Sequence, residues 1–434
     1  MTVLLLQADA RHLPLADGSV HCLVTSPPYW SLRDYGLAPT AWGGVPAHTH
    51  AWEPYARQDE RYTGKTKWQH IGAEAQATGV KVRDVDPNAW GHPQIETEAF
   101  CDCGAWLGCL GLEPTPGEYT AHMVEVFRAW RRVLRDDGVI WLNLGDSSIA
   151  SGGLGTGGNF ARINRQYQQR NQRPGREVAG LLPGNAALIP HRVAMALQED
   201  GWIVRTDVTW SKPNPMPESV AGWRWQRHQV KNGACTGCPA CARNDGLVLR
   251  RGSWRPARSK ETLFLITKPG PYYSDGEPVR ERGVGSVYRN LRDVWTIATA
   301  PYAGAHFATF PPALVRPCVL SGTPPKVCAA CGAPWAPIVD VACENPGART
   351  AGWLPTCRCE AGSRPALVLD PFGGTGTVAQ VAHEAGRDAV IIDMSREYLD
   401  LARNRLALAM VRVVDAGPTE RQMRKVGTEQ KALL

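Results

Sequence analysis

A chain of 434 residues with a net charge of +7 can bury a large core, has room for two or three domains, and favours a polyanionic partner over an acidic one. No apolar run approaches the length needed to span a bilayer. Met1-Thr2-Val3-Leu4-Leu5-Leu6 has no basic flank and soon meets Asp9, so it reads as a first strand rather than a signal peptide, and a soluble intracellular protein is expected.

Val3 to Leu6 is the first apolar run, ending at Gln7-Ala8-Asp9. Cys22-Leu23-Val24 is the next, expected to be a buried parallel strand. It stops at Thr25-Ser26-Pro27-Pro28-Tyr29-Trp30. The double proline forbids a helix and fixes an extended exit, because each ring locks φ and removes an N–H. Ser26, the Pro27 carbonyl and the rings of Tyr29 and Trp30 are thus held at a strand's carboxyl end, where open α/β sheets bind ligands. Such a cluster suits methylation of an exocyclic amine. A base amino group is a poor nucleophile because its lone pair is delocalised into the ring. Two acceptors aimed at its hydrogens, Ser26 Oγ and Pro27 O, draw the nitrogen toward a reactive tetrahedral shape. Tyr29 offers a face on which a flipped base can stack. A cis-proline turn at the end of a core strand, with incidental aromatics, is the alternative.

Thirteen cysteines, odd in number and mostly in Cys-x-x-Cys or Cys-x-Cys pairs, argue for metal over disulfides. From 42 to 109 periodicity breaks down, which reads as an insertion or partly mobile loop. It carries His48-Thr49-His50 and Cys101-Asp102-Cys103, two His and two Cys that suit a tetrahedral zinc; solvent-facing histidines beside free thiols are the alternative. Thr120 to Leu134 is the clearest amphipathic helix, with Met123, Val124, Phe127, Trp130, Val133 and Leu134 at helical spacing. Arg131, Arg132 and Arg135 close it as helix-end charges rather than phosphate ligands. Asp136-Asp137-Gly138 is expected to turn the chain into a strand over Val139 to Leu144, ending at Gly145-Asp146.

The 151–183 stretch is basic and poor in apolar residues, and reads as a mobile loop able to close over a nucleic-acid backbone or simply as disordered. Asn185 to Glu199 reads as a helix and Trp202 to Trp210 as a strand, followed by Ser211-Lys212-Pro213-Asn214-Pro215. His228 is the candidate fourth ligand for the triplet Cys235, Cys238 and Cys241. Arg250 to Arg258, with Trp254 inside it, suits phosphate contact and stacking. Glu261 to Thr267 is a strand. Cys328-x-x-Cys331 and Cys357-x-Cys359 form the best metal signal, a zinc ribbon. Cys22, Cys109, Cys318 and Cys343 read as ordinary buried or loop thiols. Ala366 to Leu369 is a buried strand ended by Asp370, and Gly373 and Gly374 permit a tight turn into a helix from Thr375, whose N-terminus points donors at a carboxylate. Asp393, at the tip of the next strand and about 20 residues on, can accept from ribose hydroxyls. This strand–turn–helix–strand–acid order is specific to nucleoside binding.

Thr-Ser-Pro-Pro-Tyr-Trp-Ser-Leu-Arg-Asp-Tyr-Gly, beginning at Thr25, and Leu369-Asp370-Pro371-Phe372-Gly373-Gly374-Thr375-Gly376-Thr377 resemble the catalytic and cofactor motifs of the DNA amino-methyltransferases of bacteria and phages. The catalytic motif precedes the cofactor motif, as in the β class of that family. The resemblance implies an α/β fold: an open, largely parallel Rossmann-like sheet with helices on both faces, here with zinc-bearing insertions. It implies S-adenosylmethionine on Asp9 (at its adenine, unless Asp9 only caps a turn), Phe307, Asp370, Phe372, Gly373, Gly374, Thr375 and Asp393. It implies catalysis by Ser26, Pro27, Pro28 and Tyr29, double-stranded DNA as partner, a cytoplasmic setting, and room for a cognate restriction endonuclease. It also places the target-recognition region at 268–302, short enough that the insertions are expected to share in base reading. The expected parts are core at 1–41, an insertion with one zinc site at 42–109, core at 110–227, a Cys-rich basic insertion at 228–258, core and target recognition at 259–317, a zinc ribbon at 318–364, the cofactor half at 365–415 and a tail at 416–434. Ser-Pro-Pro-Tyr tends in the family to accompany cytosine N4, and Trp30 beside Tyr29 leans toward the smaller base on sterics. N4-methylcytosine is therefore expected, with adenine N6 second. The rivals are an inactive zinc-ribbon DNA-binding protein and a methyltransferase of RNA or a protein amide.

Overall fold

The computed structural model describes residues 1–45, 48–51, 53–54, 99–149, 180–215, 222–230, 233–235, 237–239, 241–250, 254–283, 285, 288–300, 311–339, 350–406 and 411–415. Nine strands build the main sheet: β1 (Val3–Gln7), β2 (Val20–Thr25), β3 (Leu134–Leu144), β4 (Ile203–Ser211), β5 (Lys260–Thr267), β6 (Val294–Thr296), β7 (Leu367–Asp370), β8 (Asp388–Asp393) and β9 (Val411–Asp415). Their order is β6-β4-β5-β3-β2-β7-β8-β1-β9. β5 alone runs antiparallel to its neighbours, β3 and β4; the other pairs are parallel. The sheet is thus the expected open, largely parallel one. β2, from the start of the chain, lies directly against β7, from near its end, and β1 sits between β8 and β9.

The central strands are buried on both faces, which is why they read as unbroken apolar runs. Leu23, Ile140, Leu142, Leu369 and Val390 face α1 (Pro116–Val133) and α2 (Ile189–Glu199), meeting Tyr119, Met123, Phe127, Trp130 and Val193. Cys22, Val24, Val139, Val368 and Ile391 face α3 (Pro312–Gly322), α4 (Thr377–Glu384) and α5 (Arg396–Leu406). α1 starts four residues before its expected boundary. Thr115 caps it, accepting from Glu118 N at 3.2 Å while its hydroxyl donates to the Glu118 carboxylate at 2.8 Å, a variant of the reciprocal N-terminal cap. The arginines at its end tie loops together: Arg132 donates to Leu13 O and Leu15 O, and Arg131 lies over the Trp202 ring.

Other boundaries also differ from the sequence reading, among them the start of the glycine-turn helix, at Thr377 rather than Thr375. β3 begins at Leu134, so Asp136-Asp137-Gly138 lies inside a strand; the register with β2 jumps from Val20↔Leu134 to Cys22↔Val139, and the extra residues form a bulge. α2 begins at Ile189 because Asn185 to Leu188 are engaged elsewhere, with Asn185 O accepting from Ile149 N. The 42–109 region holds a four-stranded sheet of Thr40–Trp42, Glu53–Pro54, Ala99–Phe100 and Trp106–Gly108. Short strands interrupted by Gly and Pro carry too little period to be read from sequence. α3 spans residue 318, and the paired cysteines of the ribbon region begin beyond it, at Cys328. Among the described residues no helix is long and apolar enough to cross a membrane.

Candidate active site

β2 ends at Thr25, and Ser26 to Trp30 leave the sheet at its carboxyl edge as the prolines require. The loop is held from several sides. Tyr119 Oη donates to Pro28 O at 2.9 Å, Ser31 N to Gly111 O at 2.7 Å, and Ser147 Oγ to Trp30 O at 2.6 Å. Trp30 turns into the core, its indole N–H on Glu113 O at 2.9 Å. Buried at 1% exposure, it offers no face to a base beside Tyr29, so the structure lends no support to the steric lean toward the smaller base. Tyr29 lies against Gly145, where a Cβ would come within 2.5 Å of the ring; only glycine permits that approach.

Ser26 and Tyr29 belong to a polar network that sequence reading did not assemble. Ser26 Oγ donates to Tyr29 Oη at 3.0 Å, and Tyr29 Oη donates to Glu261 Oε2 at 2.6 Å. Asn143 Nδ2 donates to both Tyr29 Oη and Glu261 Oε2 at 2.7 Å. The Lys212 ammonium pairs with the other Glu261 oxygen. Burial first, then the adjacent Glu261 carboxylate, pushes the Tyr29 phenol well above its ordinary range, so it stays a neutral donor. Among the described residues none donates to Pro27 O, which leaves it open beside Ser26. Asn143, Lys212 and Glu261 come from β3, the end of β4 and the start of β5. The Lys-Pro-Asn-Pro stretch and the strand start were visible in sequence, but not the antiparallel pairing that brings them to Ser26.

The cofactor motif lies next door. Thr25 Oγ1 donates to Asp370 Oδ1 at 2.7 Å and Phe372 N to the same oxygen at 3.1 Å. Asp370 is fully buried at the β2–β7 seam; burial pushes its carboxyl up to about 7 against those two hydrogen bonds. A Cβ on Gly373 would sit 1.9 Å from Ile391 Cγ2, and Gly374 and Gly376 have φ of +48° and +76°. Asp393 at the tip of β8 accepts from Gly374 N at 3.0 Å and Ser395 N at 2.8 Å, and burial lifts it to about 6 despite them. Phe372 meets the Trp130 ring edge-on at 6.1 Å. Thr375 Oγ1 accepts from Arg405 at 3.0 Å. Asp9 follows β1 at the same edge, where Ala8 N donates to Asp393 O. It accepts from Arg11 N and pairs with the Arg11 guanidinium at 2.7 Å. Burial opposes its charge, but Arg11 more than offsets it and the carboxyl ends below its ordinary range. Asp9 thus caps a turn and orients an arginine. Phe307 lies outside the described residues.

Three clusters bring together the twelve residues expected to bind metal: His48, His50, Cys101 and Cys103; His228, Cys235, Cys238 and Cys241; and Cys328, Cys331, Cys357 and Cys359. Within each, four ligand atoms lie within 4.8 Å of one another. Cys101 Sγ is 3.6 Å from His48 Nδ1, Cys103 Sγ 3.4 Å from His50 Nδ1, and Cys238 Sγ 3.3 Å from His228 Nδ1 and 3.7 Å from Cys241 Sγ. Bonds of about 2.0–2.3 Å to a tetrahedral ion give edges close to these values. In the third cluster backbone N–H groups draw Cys328 down to about 6, while its thiol neighbours push Cys359 up to about 12. Of the other thiols, Cys22 and Cys318 are buried and Cys109 is pushed by burial up to about 12. Cys343 lies outside the described residues. Cys318 is buried within α3, its Sγ on Leu314 O, and is no candidate for the nucleophile a cytosine-C5 mechanism would need.

A family model described as DNA methylase matches residues 20–404. The Type II methyltransferase M.Cfr9I of Citrobacter freundii is 32% identical over 404 residues, covering 91% of this chain and 83% of that protein. M.XycI of Xanthomonas campestris pv. cyanopsidis is 31% identical over 398 residues, with the same coverage. M.SmaI of Serratia marcescens is 33% identical over 301 residues, covering 69% of this chain and 77% of that one. The solved PvuII DNA methyltransferase, described as cytosine-N4-specific, matches more loosely, with a TM-score of 0.46 and 13% identity over 99% of this chain and 92% of that one. With Ser-Pro-Pro-Tyr and the glycine turn on adjacent strands of one sheet, and with the family model and the Type II methyltransferases matching over most of its length, the chain belongs to the DNA methylase family, the amino-methyltransferases that act on cytosine N4 or adenine N6.

Proposed function

We propose that this protein methylates N4 of a cytosine flipped out of a specific site in double-stranded DNA. S-adenosylmethionine, when bound, supplies an electrophilic methyl group. The residues present fit it: the glycines let the backbone come close, and Asp393, held by two backbone N–H groups, keeps lone pairs for ribose hydroxyls. Asp370 ties the cofactor strand to the catalytic strand through Thr25. Gly373, Gly374 and Thr375 shape the turn, while Asp9, Phe372 and Phe307 would wall the nucleoside and methionine ends.

The observation that carries the reading is the direction of the Ser26 hydroxyl. Its proton goes to Tyr29 Oη, and the one donor on it among the described residues, Asn143 Nδ2, is long at 3.5 Å, so Ser26 Oγ keeps a lone pair for one amine hydrogen while Pro27 O accepts the other. Both pull electron density toward the amine nitrogen, and neither requires a covalent enzyme intermediate. Pro28, with its carbonyl fixed by Tyr119, holds the loop, and Tyr29 gives the base a stacking face.

Three structural zinc ions complete the reading, one in each Cys/His cluster. The Type II methyltransferases among the relatives support a modification role alongside a cognate restriction endonuclease. The choice of base rests on Ser-Pro-Pro-Tyr alone, and N6-methyladenine is the second reading. Nucleoside mass spectrometry of plasmid DNA incubated with the protein and S-adenosylmethionine should find N4-methylcytosine. N6-methyladenine alone would overturn the base and leave the mechanism standing; no methylated base would overturn both.

A further inference from the structure

Between Lys212 and Ser259 the chain leaves the core and returns to the same place. Lys212 N donates to Ser259 O at 2.7 Å and its ammonium pairs with Glu261. Arg258 ties the return to the loop after β3, bonding Asp146 O and Ser148 Oγ. The excursion is therefore rooted on both sides at the catalytic edge. Its body is a hairpin, Arg224–Arg227 against Leu247–Arg250, with the His228–Cys241 cluster at its far end.

One face of the hairpin works against its stability. Arg224 and Arg250 are directly opposite in the register, and like charges so placed repel. Neither has an acidic partner among the described residues. On the other face Trp225 and Leu249 are opposite each other and stand 54% and 39% exposed, with Trp223 and Trp254 nearby in sequence at 67% and 73%. Residues 223–258 contain eight Arg and Lys against a single acid, Asp245. Facing arginines and exposed indoles are costly in water and favourable on a polyanion that also offers aromatic faces. Arg258 cannot serve with them, since it is consumed within the protein.

We propose that this hairpin is a DNA-docking surface: Arg224 and Arg250 hold backbone phosphates beside the target, and Trp225 lies against the flanking bases. The proposal rests on the DNA-methyltransferase reading above and adds a docking element outside the 268–302 segment. That segment contributes the edge strand β6 and a small hairpin, Glu281–Arg282 against Tyr288–Arg289.

The test uses the full-length, metal-loaded protein and a fluorescent duplex carrying the motif found methylated in DNA from cells that express it. In Arg224→Gln/Arg250→Gln, the slope of log affinity against log salt should fall by about 2, one unit per lost phosphate contact. The KM for DNA should rise about tenfold or more, with kcat and cofactor affinity unchanged. Trp225→Ala should weaken binding about tenfold or more, and Trp225→Phe should restore most of it. In the unaltered protein, the duplex should shield exposed tryptophan fluorescence from acrylamide, a measurement that needs no variant to fold. Unchanged slope and KM, or unshielded fluorescence, would overturn the proposal while methylation by the unaltered enzyme still stood. Absence of methylation by the unaltered enzyme would instead strike the reading on which it rests, with the salt slope still deciding whether the hairpin binds DNA.

Discussion

At the scale of single residues, the active edge divides into what a motif can show and what only pairing can. Ser26 to Tyr29 were legible because two prolines and a strand end leave few conformations for a chain to adopt. Glu261 was not, since a lone acid at the start of an apolar strand looks like any solvent-facing end. It becomes meaningful because β5 runs back along β3, with Thr262 opposite Leu144, and delivers its carboxylate to Tyr29. Ser26→Ala removes one acceptor and should lower kcat by about two to three orders of magnitude with cofactor affinity intact. Unchanged turnover would remove Ser26 from the mechanism. Glu261 is a positioning residue: its carboxylate fixes Tyr29 as acceptor for the Ser26 proton. Glu261→Gln and Tyr29→Phe should each lower kcat, and the double variant should cost clearly less than the two effects combined, because both break one chain of hydrogen bonds. Strictly additive losses would mean that the two side chains act separately.

At the scale of elements, the cofactor half was legible nearly in full, since β7, the glycine turn, α4 and β8 form one contiguous run. What sequence could not show was how deeply its acids are buried. Asp370 and Asp393 titrate at about 7 and about 6 in the folded protein, against about 3.9 in an unfolded chain. Between those limits the native state holds protons that the unfolded chain has released. By linkage, their contribution to stability declines as pH rises from about 4 through 7. Binding runs the other way: ribose hydroxyls need an ionised Asp393, so affinity for S-adenosylmethionine should fall as pH drops through about 6, approaching tenfold per unit. Calorimetric titration between pH 5 and 8 checks this. Asp393→Asn should bind more weakly at pH 8 and show a nearly flat profile, and a profile as steep as that of the unaltered protein would assign the titration to another group.

At the scale of the whole molecule, the three clusters are unequal in what they hold. The ribbon is anchored to the core at the junction of its two halves. His21, buried at the back of β2, takes Leu367 N on its Nδ1 at 3.1 Å and reaches Gly332 O with Nε2 at 3.0 Å. Burial, with Arg135 nearby, drives it down to about 3, so it is neutral. Arg135 donates to Cys331 O at 2.8 Å, and the Val327–Cys328 strand pairs with Ser363–Arg364, which lead into β7. The His48–Cys103 cluster is nearly as well seated. Its small sheet packs Trp42 and Trp106 on His122, which meets the buried Glu113 whose carbonyl holds Trp30. Among the described residues, the backbone hydrogen bonds of the His228–Cys241 cluster stay within its own hairpin, His228 N on Gly246 O and Cys235 N on His228 O. Structural zinc contributes folding energy in proportion to the structure it organises. Graded chelation should therefore remove zinc first from the His228 cluster, weakening DNA binding with the melting temperature nearly unchanged. The ribbon should lose its zinc last and unfold with it. Cys328→Ser or Cys357→Ser should lower the melting temperature sharply, while Cys238→Ser should leave it within a few degrees. If the ribbon gives up metal first without unfolding, the ranking by anchorage is wrong, and if elemental analysis of the native protein finds no zinc, all three sites fall together.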